Sequence, residues 1–375
     1  MEGLTNFCPL LDHVAEITTE KKFLLLDIGC SGRIDRQWRR LGRRLRAIGI
    51  DPNSAEIQRL AAREKNPNVT YLNAFAAIGP EHPFARKKQG RPDWGRDPGS
   101  RLSAFQYKER LRSTGGRVAQ SVDGAVDSCS AVAPAGPVAS IVVPEYLAQS
   151  GITSLDFLKV DVDGKDFDIL NSFDQALADL AVLGVGIEVN FFGSDCDTDN
   201  SFHNVDRFLK AHGFELFHLT TRRYSVCALP SRFVGAGPGP TEIGRIYQGD
   251  AMYARDLGAG DGLANSLNAD KILNLMAIFA VFDLPDCAAE LALKFRPILS
   301  PRFDVDRMLD LLTAQVEGRI FAGASYKRHV AGFTQRSGSF RATRNPAVML
   351  ARVLKKEFLK LRGRSQLVKL ERAGK

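Results

Sequence analysis

Phe23-Leu24-Leu25-Leu26-Asp27-Ile28, followed at once by Gly29-Cys30-Ser31-Gly32, reads as a parallel strand buried on both faces that stops in a tight turn. Downstream, Trp38, Leu41 and Leu45 recur at helical spacing among Arg36, Arg39, Arg40, Arg43 and Arg44. That spacing predicts an amphipathic helix over 35–46 with a basic, solvated outer face. A short strand over 46–50 then ends at Asp51-Pro52-Asn53, and a helix over 54–64 leads to a strand over 69–72. Strand, helix, strand, helix, strand within about fifty residues implies right-handed parallel crossovers, hence an α/β fold.

Residues 80–140 are rich in Pro, Gly, Ser and charge and show no sustained periodicity, so loops are expected there. Order resumes with a helix over 144–149, a strand over 155–161, a helix over 165–180 and a strand over 182–190. A helix over 201–212 closes on Gly213, and 214–219 with 224–229 predict two paired strands that finish a doubly wound, mostly parallel seven-stranded sheet. Gly235-Ala236-Gly237-Pro238-Gly239-Pro240 marks a linker. Helices over 269–282, 287–295 and 304–316 follow it. The expected organisation is therefore a main domain over 1–234, an accessory helical region over 241–330, and a basic amphipathic tail over 341–375.

A chain of 375 residues can bury a large core without covalent staples. Its six cysteines (Cys8, Cys30, Cys129, Cys196, Cys227, Cys287) show neither CxxC pairing nor metal-ligand spacing, so they are expected as free thiols of a cytoplasmic protein. With no basic stretch followed by an apolar run near Met1 and no run approaching about 20 apolar residues, the protein is expected to be neither secreted by that route nor integral to a membrane. The net charge of +8 is concentrated in the tail, where 341–375 holds eleven Lys or Arg against Glu357 and Glu371. Its helix, 347–361, carries an apolar stripe with a cationic flank, as a helix lying on an anionic membrane surface would, or one packed on the helical region with its lysines solvated. The arginines of 36–46 come with no aromatic stacking pattern, so no nucleic-acid partner is expected.

A nucleotide-like ligand of an open parallel sheet sits beyond the carboxyl ends of the strands, at the switch point. The turn Asp27-x-Gly29 and the strand-ending Asp51 occupy that region. A glycine turn lets backbone approach the ligand, and Asp51 can accept hydrogen bonds from both ribose hydroxyls. A dinucleotide-dependent dehydrogenase is the competing reading. Against it, the G-x-G-x-x-G run is absent, and a carboxylate at Asp27 repels a pyrophosphate while suiting the cationic sulfonium and ammonium of S-adenosylmethionine.

Several phrases then point one way. Leu26-Asp27-Ile28-Gly29, Gly49-Ile50-Asp51-Pro52, Asp156-Phe157-Leu158-Lys159-Val160-Asp161-Val162-Asp163-Gly164, Gly186-Ile187-Glu188-Val189 and Val205-Asp206-Arg207-Phe208-Leu209 with Gly213-Phe214 occur in this order. Their order and spacing resemble those of the FkbM-like methyltransferases over about residues 20–230, and Tyr247–Tyr253 looks like a segment that follows the domain in some members. The resemblance implies a Rossmann-like, class I methyltransferase sheet with S-adenosylmethionine as cofactor, held around Asp27, Gly29, Ser31, Gly32, Asp51, Pro52 and Asn53. It further implies an O-methyltransferase acting on a sugar or glycan hydroxyl. One departure stands out. Where the family turn reads D-x-G-A-N-x-G, this chain has Cys30-Ser31-Gly32-Arg33, so a positive φ at the last position would strain Arg33 unless Gly32 absorbs it.

Methyl transfer to a hydroxyl needs alignment and a base. Asp161 and Asp163 close one strand, Glu188 and Asn190 the next, and both pairs should face one crevice as acceptor-orienting groups or base. Their oxygens could also hold a divalent cation, although no dedicated metal site is read here. His203, beside Asp195, Asp197 and Asp199, is a candidate base or a capping histidine. A membrane-peripheral scaffold that has lost turnover through the altered turn is the non-enzymatic alternative.

Overall fold

The expected strand over 23–28 stands in the middle of the sheet. The structure is a computed structural model, and it describes residues 8–17, 21–89, 138–162, 164–193, 195–225, 228–235, 239–259, 267–317 and 325–336. The tail helix expected over 347–361, Asp163, and most of the stretch 80–140 lie outside the described residues. The chain falls into two units, Met1–Ile320 and Phe321–Lys375.

In the first unit, α1 (Pro9–Glu16) precedes β1 (Phe23–Ile28), a four-residue α2 (Arg36–Arg39), β2 (Leu45–Asp51), α3 (Ser54–Arg63) and β3 (Val69–Asn73). The small strands β4 (Phe75–Ala77) and β5 (Ser140–Val142) pair with each other around α4 (Pro83–Lys88). Next come α5 (Val143–Gln149), β6 (Phe157–Val160), α6 (Asp166–Phe173), α7 (Ala176–Asp179), β7 (Gly184–Asn190), α8 (Phe202–Ala211), β8 (Glu215–Tyr224) and β9 (Arg245–Ala254). Four helices follow, α9 (Ala269–Val281), α10 (Pro285–Lys294), α11 (Arg296–Leu299) and α12 (Val305–Glu317). In the second unit the described element is α13 (Tyr326–Gln335).

The sheet runs β3-β2-β1-β6-β7-β9-β8, with β9 antiparallel to both its neighbours and the other pairings parallel. This is the seven-stranded, mostly parallel, doubly wound sheet expected from the sequence. Its two faces differ. Leu24, Leu26, Ile28, Leu158, Val160, Val185, Ile187 and Val189 point to one side, where Val143, Leu147, Phe167, Leu170, Val205 and Leu209 of α5, α6 and α8 cover them. On the other side Phe23 stacks on Trp38 at 5.3 Å, and Trp38 and Phe282 close on Phe157 at 4.7 and 5.6 Å. The helix α9 is buried along most of its length and is tied to the sheet by Lys271, whose Nζ lies 2.9 Å from Asp156; the Asp156 carboxylate in turn accepts from Leu24 N–H at 2.8 Å.

Three local expectations are corrected. The helix over 35–46 is split, because Gly42 turns the chain with a φ of +55° into a 3-10 turn before β2. Its arginines form a solvated face only in part: Arg36, Arg43 and Arg46 are exposed as expected, whereas Arg39 forks onto Glu64, Arg40 onto Asp12, and buried Arg44 donates to Asn274 at 3.0 Å. Finally, β8 ends at Tyr224 and the strand paired with it is Arg245–Ala254, so the sheet draws its last strand from beyond the Gly-Pro segment.

Candidate functional site

The strand order reverses between β1 and β6, so the crevice outside their carboxyl ends is the switch point. Gly29 makes that crevice possible. Its φ is +85°, and a Cβ there would stand 1.7 Å from the carbonyl oxygen of Asp161. Backbone thus presses on backbone, and the turn is pinned from the other side by Gly29 N–H donating to Ile50 O at 2.8 Å. Gly32 also has a positive φ of +95°, and its N–H donates to Glu56 at 3.0 Å. Arg33 has a φ of +139°, so Gly32 does not absorb the requirement and the arginine carries a backbone that favours glycine.

Asp27 and Asp51 lie on the same face of the sheet, since Asp27 sits beside Gly49 in β2. Their surroundings differ. Asp27 is buried at 2% exposure and pairs with Lys159 Nζ at 3.0 Å, its direct neighbour in β6. Burial raises the pKa of Asp27 while Lys159 opposes the rise. The charge that was to meet a cationic ligand is therefore met inside the protein. Lys159 also reaches Asp161 at 3.4 Å, and Asp161, with 44% of its side chain exposed, is the carboxylate left at the crevice. Asp51 accepts from Asn53 N–H at 2.8 Å, and Asn53 caps α3 by accepting from Glu56 N–H at 3.1 Å. Asp51-Pro52-Asn53 is thus a capped corner at the end of β2.

A crevice of about 220 Å³ opens on the Asp27 face beyond β6 and β7. Ser31, Asp161 and Glu188 line it, as the sequence led one to expect, joined by Arg33, Lys159, His218 and Asp250. Glu188 lies 2.5 Å from Arg222, which also holds Asp250 at 3.1 Å. Burial pushes Glu188 up to about 8; Arg222 opposes this, and Asp166, Asp161 and Asp250 add to it. His218 faces the ring of Phe282 at 5.9 Å, and burial lowers its pKa against the pull of Asp250 and Asp283. A neutral imidazole in that position can accept a proton.

His203 is exposed in the first turn of α8, with Nε2 3.4 Å from Ser201 Oγ, and is not among the residues that line the crevice. Asn190 turns away to donate to Asn200 O at 3.1 Å. Among the described residues no group of three or more His, Cys, Asp or Glu is placed to hold a metal ion.

Sequence reasoning missed Lys159, His218, Arg222, Asp250 and Asp166. Asp166 is fully buried and accepts from Val162 N–H at 2.9 Å, Gly164 N–H at 3.1 Å and Asn200 Nδ2 at 3.0 Å, so it ties the loop after β6 to the loop after β7. Burial pushes it up to about 6 against those backbone donors. The signal for Lys159 was partial: two residues on from Phe157, it shares that residue's face of the strand, but the face meets Asp27 only because β6 lies beside β1.

No curated protein matches the chain in sequence. Among solved structures it is similar to precorrin 8w decarboxylase from Methanobacterium thermoautotrophicum, at 15% identity and a TM-score of 0.28, over 67% of this chain and 91% of that one. It is also similar to a SAM-dependent methyltransferase from Aquifex aeolicus, at 11% identity and 0.26, over 66% and 90%. A third is a SAM-dependent methyltransferase from Anabaena variabilis, at 12% and 0.29, over 64% and 79%. Residues 39–216 match the family model described as the methyltransferase FkbM domain. By that match the chain is a methyltransferase.

Proposed function

We propose that this methyltransferase uses S-adenosylmethionine and methylates a hydroxyl of a sugar or glycan. The observation that carries the reading is the switch-point turn, where Gly29 brings backbone against the Asp161 carbonyl and leaves the Asp161 carboxylate exposed beside the crevice. The residues present suit a cationic adenosyl donor: Asp161 offers the negative charge, Ser31 and Gly32 an exposed turn, and Asp51 a carboxylate one strand further on. When bound, that donor supplies an electrophilic methyl on sulfur. Transfer of that methyl to a hydroxyl, with the demethylated sulfur as leaving group, would require the chain's residues to align the acceptor oxygen and to take its proton.

His218 is the group we assign to receive that proton, because it is neutral, half-buried and lines the crevice. Glu188 and Asp250, bridged by Arg222, orient the acceptor hydroxyls beside it. His203, exposed on α8, has no such position. We place the protein in the cytoplasm, in keeping with free Cys8, Cys30, Cys196 and Cys287; no helix of the described residues is long and apolar enough to cross a membrane.

Incubation with methyl-labelled S-adenosylmethionine and a panel of monosaccharides and glycans tests this. The expected product carries the label as an alkali-stable ether. Label found only on nitrogen, or as an alkali-labile ester, contradicts the assignment.

A further inference from the structure

A second crevice, of about 430 Å³, opens between the donor turn, α3 and the edge strand β3, and Arg33 lines both crevices. Its walls bear Arg33, Arg39, Arg59, Arg63 and Lys65 against one carboxylate, Glu64. That acid is already committed. Glu64 takes the guanidinium fork of Arg39 at 3.0 and 2.8 Å and accepts from Tyr71 OH at 3.1 Å, and these donors hold its pKa down to about 2. The neighbouring Glu56 is likewise engaged, by Arg59 at 2.7 Å and by Gly32 N–H at 3.0 Å. Arg33, Arg63 and Lys65 make no ion pair with a described residue.

Three cations facing one crevice repel one another unless an anion joins them. Elsewhere the chain supplies such a partner, as Asp12 does for Arg40 and Asp306 for Arg296. We propose that this second crevice binds a phosphate-bearing anion, held by Arg33, Arg63 and Lys65. Guanidinium forks match phosphate oxygens in pairs, and an ammonium adds a compact third charge. Arg33 explains its own cost in this way: the strained arginine in place of glycine puts a guanidinium where both crevices meet. An anion there also acts on the donor turn, because Glu56 holds both Arg59 and Gly32 N–H.

The anion can be a phosphate on the sugar acceptor or a free phosphate, and the test separates the two. The full chain is titrated calorimetrically with inorganic pyrophosphate and with a hexose 1-phosphate at about 0.15 M salt, where screening suppresses diffuse surface attraction. Saturable one-site binding is expected. It should weaken by about tenfold or more in the Arg63→Ala/Lys65→Ala double variant, as loss of charge-assisted bonds requires. Tighter binding of the hexose phosphate than of pyrophosphate makes the acceptor the source, and the reverse order a free anion. Absence of saturable binding, or equal binding by the double variant, overturns the proposal. S-adenosylhomocysteine titrated into the same double variant should still bind, so failure of the anion site is distinguishable from failure of the donor site.

Discussion

Arg33 holds a φ of +139° in the turn that follows β1, a backbone that an L side chain adopts only under strain. Such a residue costs about 1–3 kcal/mol, so Arg33→Gly should raise stability by about 1 kcal/mol after the added flexibility of the unfolded chain is subtracted. Urea unfolding reads this directly, and an unchanged or lower midpoint contradicts it. Glu188 gives a second residue-scale test. Its folded pKa of about 8 stands above the ordinary 4.5, so the folded chain holds an extra proton and loses stability as pH rises through that window. Glu188→Gln cannot ionise, and its melting temperature relative to the parent should therefore climb between about pH 5 and about pH 8.5. If His218 takes the hydroxyl proton as proposed, His218→Ala should slow transfer by about a hundredfold or more with donor affinity unchanged. At this scale the sequence showed Asp27, Gly29 and Asp51, whose positions follow from where strands end. It did not show that Asp27 would be neutralised by Lys159, because that depends on which strand lies beside β1.

Elements connected by short crossovers were legible because their apolar runs are self-contained. The strands β1, β2, β6 and β7 each bury both faces or nearly so, and the sequence marks such strands clearly. The helix over 35–46 was not legible in its true form, since its pattern of Trp38, Leu41 and Leu45 survives as burial while Gly42 breaks the geometry. The partner of β8 was missed for a different reason: β9 returns after a linker, and propensity does not say which of two later segments will pair. The corner at the end of β2 offers an element-scale test. Asn53 caps α3 and gives its own N–H to Asp51, so Asn53→Ala should cost about 1 kcal/mol. Chemical denaturation measures the loss, and full stability in the variant removes the corner as a structural unit.

At the scale of the molecule, β9 lies between β7 and β8, and its Ala251 and Tyr253 join the core that α5, α6 and α8 cover. A chain cut at residue 240 should expose two long strand edges and aggregate, as gel filtration would reveal; a monomer that unfolds cooperatively would contradict this. The same sheet sets the central claim, that the carboxyl ends of β1, β2 and β6 form a seat for an adenosyl donor. Calorimetric titration of the full chain with S-adenosylhomocysteine tests it most directly. One site per chain is expected, weakened by at least about tenfold in Asp51→Ala if its carboxylate takes the ribose hydroxyls as proposed; an absence of binding, or an affinity indifferent to Asp51, contradicts it.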